Sequence, residues 1–153
     1  MKYIDTSAFV KYYSGEGSEK GADFIRELID RTKSGEEKLI SSILLIGETV
    51  SVFDKWVRLK LLTKQDFFEI LSAFLNDTKE LVNNGSMVFE EINSFMVISS
   101  LDYIVKHGLT VNDSFHLYTA LLNKNRIEEF ICSDNNLIRA AKLEGLNILN
   151  PED

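Results

Sequence analysis

Short nonpolar runs that stop on an acid or a hydroxyl alternate along this chain with longer stretches whose nonpolar residues recur every three or four positions. A short run of the first kind reads as a strand and the longer period reads as a helix. Their alternation implies strands joined by helical crossovers, and hence a largely parallel sheet. The strand candidates are 2–4, 38–41, 87–89, 130–132 and 146–149. Helical spacing covers 5–13, broken by Gly15 and Gly17, and then a stretch around 24–29 that ends near Gly35. It returns over 43–59, from Thr63 to Val82, over 95–105, 112–124 and 135–143, with Gly85, Gly108 and Gly145 as stops. The expectation is an α/β fold, one domain over 1–153, with a mainly parallel central sheet of four to five strands and helices on both faces.

The 153 residues suit one domain with a sizeable core, and no repeat, linker or low-complexity tract interrupts them. Hydrophobic residues at 44% against 27% charged give the balance of a soluble globular chain. No apolar run reaches membrane-spanning length, and Asp5 breaks the apolar N-terminus too early for a signal peptide, so no membrane partner is expected. Cys132 is the single cysteine and cannot form an internal disulfide, which suits a reduced, cytoplasmic setting and a role as a small buried hydrophobe. A net charge of −7 opposes non-specific electrostatic binding of nucleic acid. It does not oppose an enzyme that meets phosphate through bound metal ions, because the ions reverse the local charge.

Four acids stand at element junctions or on inward faces: Asp5, Glu48, Asp113 and Asp134. Each Asp taken singly is explained by helix capping. Glu48 is not, because on a helix begun near Ile43 it shares a face with Leu44, Leu45 and Val52. The nearest base on that face, Lys55, is two turns away, so Glu48 is either partnered structurally or part of a metal site. Asp113 shares its face with His116, Leu117, Ala120 and Leu121. Ligands of open α/β sheets lie beyond the carboxyl ends of the strands, where Asp5 and Asp134 are expected. Two unit charges ~4 Å apart repel by roughly 4 kcal/mol at an effective dielectric of 20, so clustered carboxylates call for a cation. Oxygen donors favour Mg²⁺ or Mn²⁺. Zinc is disfavoured, with no cysteine pair and no two histidines at ligand spacing. His116 reads as a hydrogen-bonded core histidine, with ligand or proton shuttle as the alternative, and His107 as a cation near a helix C-terminus.

The segments YIDTSAFVKYY at 3–13, SSILLIGETVSV at 41–52, VNDSFHLYTALL at 111–122 and ICSDNNLIRAAKLEGLNIL at 131–149 occur in the order found in PIN-domain proteins. The chain resembles that family, and closely its VapC-type toxin ribonucleases. The resemblance implies Mg²⁺- or Mn²⁺-dependent hydrolysis of RNA phosphodiesters. Asp5, Glu48, Asp113 and Asp134 would be the metal-binding and catalytic acids, with Ser7 and Ser133 in support. It also implies a homodimer and a small antitoxin protein that fills an apolar groove; Trp56, Phe53, Phe67 and Phe68 suit such a groove or a dimer face, and core packing explains any one of them as well. Lys11, Arg139 and Lys142 are candidates for contacting RNA, and Tyr12 and Tyr13 for stacking on bases, each against a reading as solvated or packed side chains. Asn112 departs from the family's less polar residue, and nothing between Lys55 and Ile92 matches a motif. Three rivals are a receiver-type signalling domain, a PIN fold kept as a binding module, and a DNA-cleaving or RNA-processing PIN nuclease outside toxin–antitoxin systems.

Overall fold

Strands β1 (Lys2–Ile4), β2 (Leu39–Ser42), β3 (Met87–Glu90), β4 (Glu129–Ile131) and β5 (Ile148–Leu149) lie side by side in the order β3-β2-β1-β4-β5. Every neighbouring pair is parallel. This is seen in a computed structural model that describes residues 1–15 and 19–153, so the expected break at Gly17 lies outside the described residues. The helices are α1 (Thr6–Phe9), α2 (Ala22–Lys33), α3 (Leu44–Arg58), α4 (Lys64–Asn83), α5 (Ser94–His107), α6 (Val111–Leu122) and α7 (Asn135–Leu143).

Successive strand residues point to opposite faces, and the sheet builds a core on each side accordingly. Ile4, Leu39 and Ile131 join Phe9, Phe53 and Phe74 on one face. Their neighbours Tyr3, Ile40 and Phe130 join Leu117, Leu137 and Ala140 on the other. The sheet is therefore covered by helices on both faces, as the near-continuous apolar strands require.

Local signals set the element ends. Thr63 and Asp66 form a reciprocal capping box at the start of α4, and Asn93 caps α5. Gly108 closes α5 at φ 69°, a left-handed conformation that costs a residue with Cβ more than glycine. The helix expected through Tyr13 is shorter than its periodicity suggests: α1 stops at Phe9 and continues as a 3₁₀ turn over Val10–Tyr13.

Lys11, in that turn, is 5% exposed. Its ammonium pairs with Glu152 at 2.7 Å and Glu19 at 3.4 Å, so the C-terminal residues close over it. Gly21 lies against the same segment, where a Cβ would stand 2.5 Å from the Pro151 carbonyl oxygen. Among the described residues no helix is long and apolar enough to cross a membrane.

Candidate functional site

The strand order reverses direction between β1 and β4, and this is the switch point where a parallel sheet leaves a crevice at its carboxyl edge. Asp5 leaves β1 there and caps α1, and Asp134 leaves β4 and caps α7, accepting the Leu137 N–H at 2.9 Å. Asp5 is 4% exposed. Its Oδ2 accepts the Ser7 N–H at 2.9 Å, the Ser7 hydroxyl at 2.6 Å and the Cys132 thiol at 3.6 Å.

Ser7 in turn accepts the Ser133 N–H at 3.0 Å, while the Asp134 N–H reaches the Cys132 sulfur at 3.3 Å. Ser7, Cys132 and Ser133 thus stitch the two acid-bearing turns together. Burial and the charges of Asp5 and Asp134 push the Cys132 thiol far above its ordinary range, so it acts as a neutral donor. The Ser133 hydroxyl is buried without a hydrogen-bond partner among the described residues.

Glu48 enters from α3. His116 Nε2 lies 2.7 Å from its Oε2, and the Thr6 hydroxyl donates to the same oxygen at 2.5 Å. His116 is 1% exposed. Its Nδ1 is 2.9 Å from the Tyr3 hydroxyl and 3.7 Å from Asp5 Oδ1, so the imidazole joins Glu48 to the Asp5 side of the crevice. Burial alone would raise the Glu48 carboxyl. The His116 hydrogen bond and charge, with Thr6 and Asn112, outweigh burial and hold it below its ordinary value. Burial likewise disfavours the imidazolium, yet the charge of Asp5 and the bond and charge of Glu48 hold His116 above its ordinary value. The partner that α3 does not offer within one turn of Glu48 is therefore supplied from α6 and α1.

Asp113 is not the cap of α6. Thr110 is, and Asp113, three residues on, accepts the Thr110 hydroxyl at 2.7 Å. Burial pushes the Asp113 carboxyl up, and the charges of Asp5 and Asp134 push it further, against the Thr110 bond and His116. Asp113 thus feels the charges of both Asp5 and Asp134 at this edge, and Glu48 is tied in through His116. Among the described residues no three acidic, imidazole or thiol groups already stand in an ion-coordinating arrangement. The donor chemistry fits a hard divalent cation: oxygen ligands, an Asp113 carboxyl raised by the charges of Asp5 and Asp134, and the Ser133 hydroxyl, buried and without a partner among the described residues.

Of the expected RNA-contacting residues, Lys11, Arg139, Tyr12 and Tyr13 have partners within the chain. The ion pairs of Lys11 leave it neither solvated nor free to meet phosphate. Arg139 donates to the His107 carbonyl at 2.8 Å, tying α7 to the end of α5. Tyr13 packs its ring on Phe9, Phe53 and Phe74 and donates to Asp77, and the Tyr12 hydroxyl accepts from Lys33. Lys142 is exposed on α7. Phe53 is wholly buried and so belongs to the core rather than to a groove, whereas Phe68 is 64% exposed. What the sequence did not disclose is the role of Tyr3 and Thr6 beside the acids; the available signal was His116, one turn from Asp113 on the same face.

His107 lies in the last turn of α5, as read, with Nε2 2.6 Å from Glu144 Oε1, and Lys106 reaches that oxygen at 2.7 Å. Hydrogen bonds from Lys106 and His107 hold the Glu144 carboxyl below its ordinary value. A depressed folded pKa contributes stability that is complete above about pH 4.3, the unfolded value, and is lost as pH falls through the folded one. Glu144→Gln should therefore lower the urea midpoint near neutral pH, with the gap to wild type closing in acid. Urea titrations between about pH 3 and pH 7 check this; a gap that stays constant to the acid end rejects it.

The PIN domain family profile matches residues 2–143. Among solved structures, the crystal structure of PAE2754 from Pyrobaculum aerophilum is similar, with a TM-score of 0.60 at 18% identity. The match covers 99% of this chain and 92% of that one, and at such identity it speaks for the fold alone. No curated protein matches the chain significantly. The profile match, running from the first strand to the last helix, removes the receiver reading: this chain belongs to the PIN-domain family, whose members are generally metal-dependent nucleases.

Proposed function

We propose that this chain is a Mg²⁺- or Mn²⁺-dependent endoribonuclease that hydrolyses RNA phosphodiester bonds, and that it serves as the toxin of a VapC-type toxin–antitoxin pair. The observation that carries the reading is that Asp5 and Asp134 leave β1 and β4 at the switch point, with Asp113 within reach of both charges and Glu48 joined to Asp5 through His116. Asp5, Glu48, Asp113 and Asp134 would hold the cation. When bound, the cation supplies Lewis acidity toward the phosphate and a water acidic enough to attack near neutral pH. Ser7 and the Cys132 thiol fix the Asp5 carboxylate, and the Ser7–Ser133 bond keeps the Asp134 turn beside it. Thr6 and His116 orient Glu48, and Thr110 holds Asp113.

A basic antitoxin suits the net charge of −7. Phe95, Ile98 and Val105 recur along α5 with their side chains exposed, which supports an apolar contact with a second copy in a homodimer. The free Cys132 suits a reduced cytoplasmic setting.

The test incubates purified protein with single-stranded RNA and, separately, single-stranded DNA. Cleavage of RNA in Mg²⁺ or Mn²⁺, abolished by EDTA and restored by adding the metal back, is the expected result. RNA cleavage that continues in EDTA rejects the metal-dependent reading. Equal cleavage of DNA rejects the RNA specificity and favours a general nuclease.

A further inference from the structure

Resting on the reading that the four acids hold a divalent cation, we propose that His116, backed by Tyr3, is a positioning residue that presents the Glu48 carboxylate to that cation. The imidazole is sealed from solvent between three elements. It is carried by α6 and flanked by Glu48 of α3 and Tyr3 of β1. Both ring nitrogens are engaged, at 2.7 Å and 2.9 Å.

The direction of the hydrogens follows from the chemistry of the partners. An ionised carboxylate only accepts, so Nε2 donates to Glu48. Nδ1 faces the Tyr3 hydroxyl, accepting its hydrogen in the neutral ring and donating to its oxygen in the imidazolium, and the Tyr3 oxygen also accepts the Ser42 N–H at 3.1 Å. Each link has one donor and one acceptor, running from the backbone of β2 to the carboxylate of α3. The Tyr3 ring is held by stacking on Phe130, with centroids 5.1 Å apart at 12°, so the near end of the chain is rigid.

A packing role alone does not require this arrangement. A core histidine is satisfied by any two polar partners, and here one of them is an inward acid with no base within one turn on its own helix face. Glu48 has three side-chain torsions, and a carboxylate left to sample them would lose that freedom on meeting an ion. Partners that orient ligating groups commonly change metal affinity 10–100-fold when removed.

The experiment measures Mn²⁺ binding to the full chain by electron paramagnetic resonance and calorimetry, with thermal unfolding alongside. His116→Leu keeps volume and removes both nitrogens; it is expected to weaken Mn²⁺ binding by about 10–100-fold. His116→Gln can donate an amide hydrogen from near the place of Nε2 and is expected to remain within about threefold of wild type. Tyr3→Phe keeps the ring and removes the hydroxyl, and should weaken binding severalfold without unfolding the chain. If His116→Leu and Tyr3→Phe bind Mn²⁺ as wild type does, while only their melting temperatures fall, His116 merely packs and the inference is overturned. If His116→Leu does not fold, unchanged Mn²⁺ affinity in Tyr3→Phe overturns it. Asp5→Asn separates the two levels: wild-type binding lost in Asp5→Asn but unaltered at His116 sinks this inference alone. Absence of Mn²⁺ binding in wild type removes the metal reading and this inference with it.

Discussion

Asp5→Asn should reduce metal-dependent RNA cleavage by more than about a hundredfold, because even the hydrogen-bond partners of metal ligands are commonly worth 10–100-fold. The substitution is nearly isosteric. Its amide oxygen can still accept the Ser7 N–H, so the cap of α1 survives while the negative charge is lost. Asp5 also stands at the centre of the charge cluster. It is one of two acids that push the Asp113 carboxyl up, and it is the largest charge acting on His116. Cleavage assays at matched protein concentration, with circular dichroism to verify the fold, measure the effect. Activity within about tenfold of wild type would place the chemistry elsewhere, since each factor of ten is only about 1.4 kcal/mol of barrier.

Phe74→Ala should cost about 3–5 kcal/mol of unfolding free energy, the usual range for removing a buried phenyl ring. Phe74 is fully buried on α4, in edge-on ring contact with Phe9, Tyr13 and Phe53 at centroid distances of 5.7–6.1 Å. Those partners belong to α1, the following 3₁₀ turn and α3. The ring therefore joins the element that starts at Asp5 to the one that carries Glu48. With domain stabilities of about 5–15 kcal/mol, a loss of this size consumes a large share of the total. Guanidinium titration of both proteins gives the value. A loss below about 1 kcal/mol would mean that the cluster is not a cooperative part of the core.

Most of the fold was readable because its signals are local. The five strand segments, the long helices and their stops at Gly85, Gly108 and Gly145 depend on side-chain period and turn chemistry within a few residues. The same locality misled at two places. The apolar spacing through Tyr13 resembles a continuous α-helix, yet the chain tightens to a 3₁₀ turn after Phe9. Asp113 carries the residue type of a cap, but Thr110, three residues earlier, takes that position. Phe53 satisfied a groove and a core equally well on paper, and only packing against Phe74 and Trp56 decided between them.

Alone, the sequence determined which elements form, that they alternate into a parallel α/β sheet, and that Asp5 and Asp134 leave strands at the same edge. It could not determine what each charge meets. Glu48 and His116 are separated by 68 positions, and Lys11 is covered by the last residues of the chain. Those encounters follow from the order β3-β2-β1-β4-β5, which periodicity does not encode because every order presents the same apolar faces. Only burial of both faces at once brings α3, α6 and α1 together, and with them the histidine that joins Glu48 to Asp5.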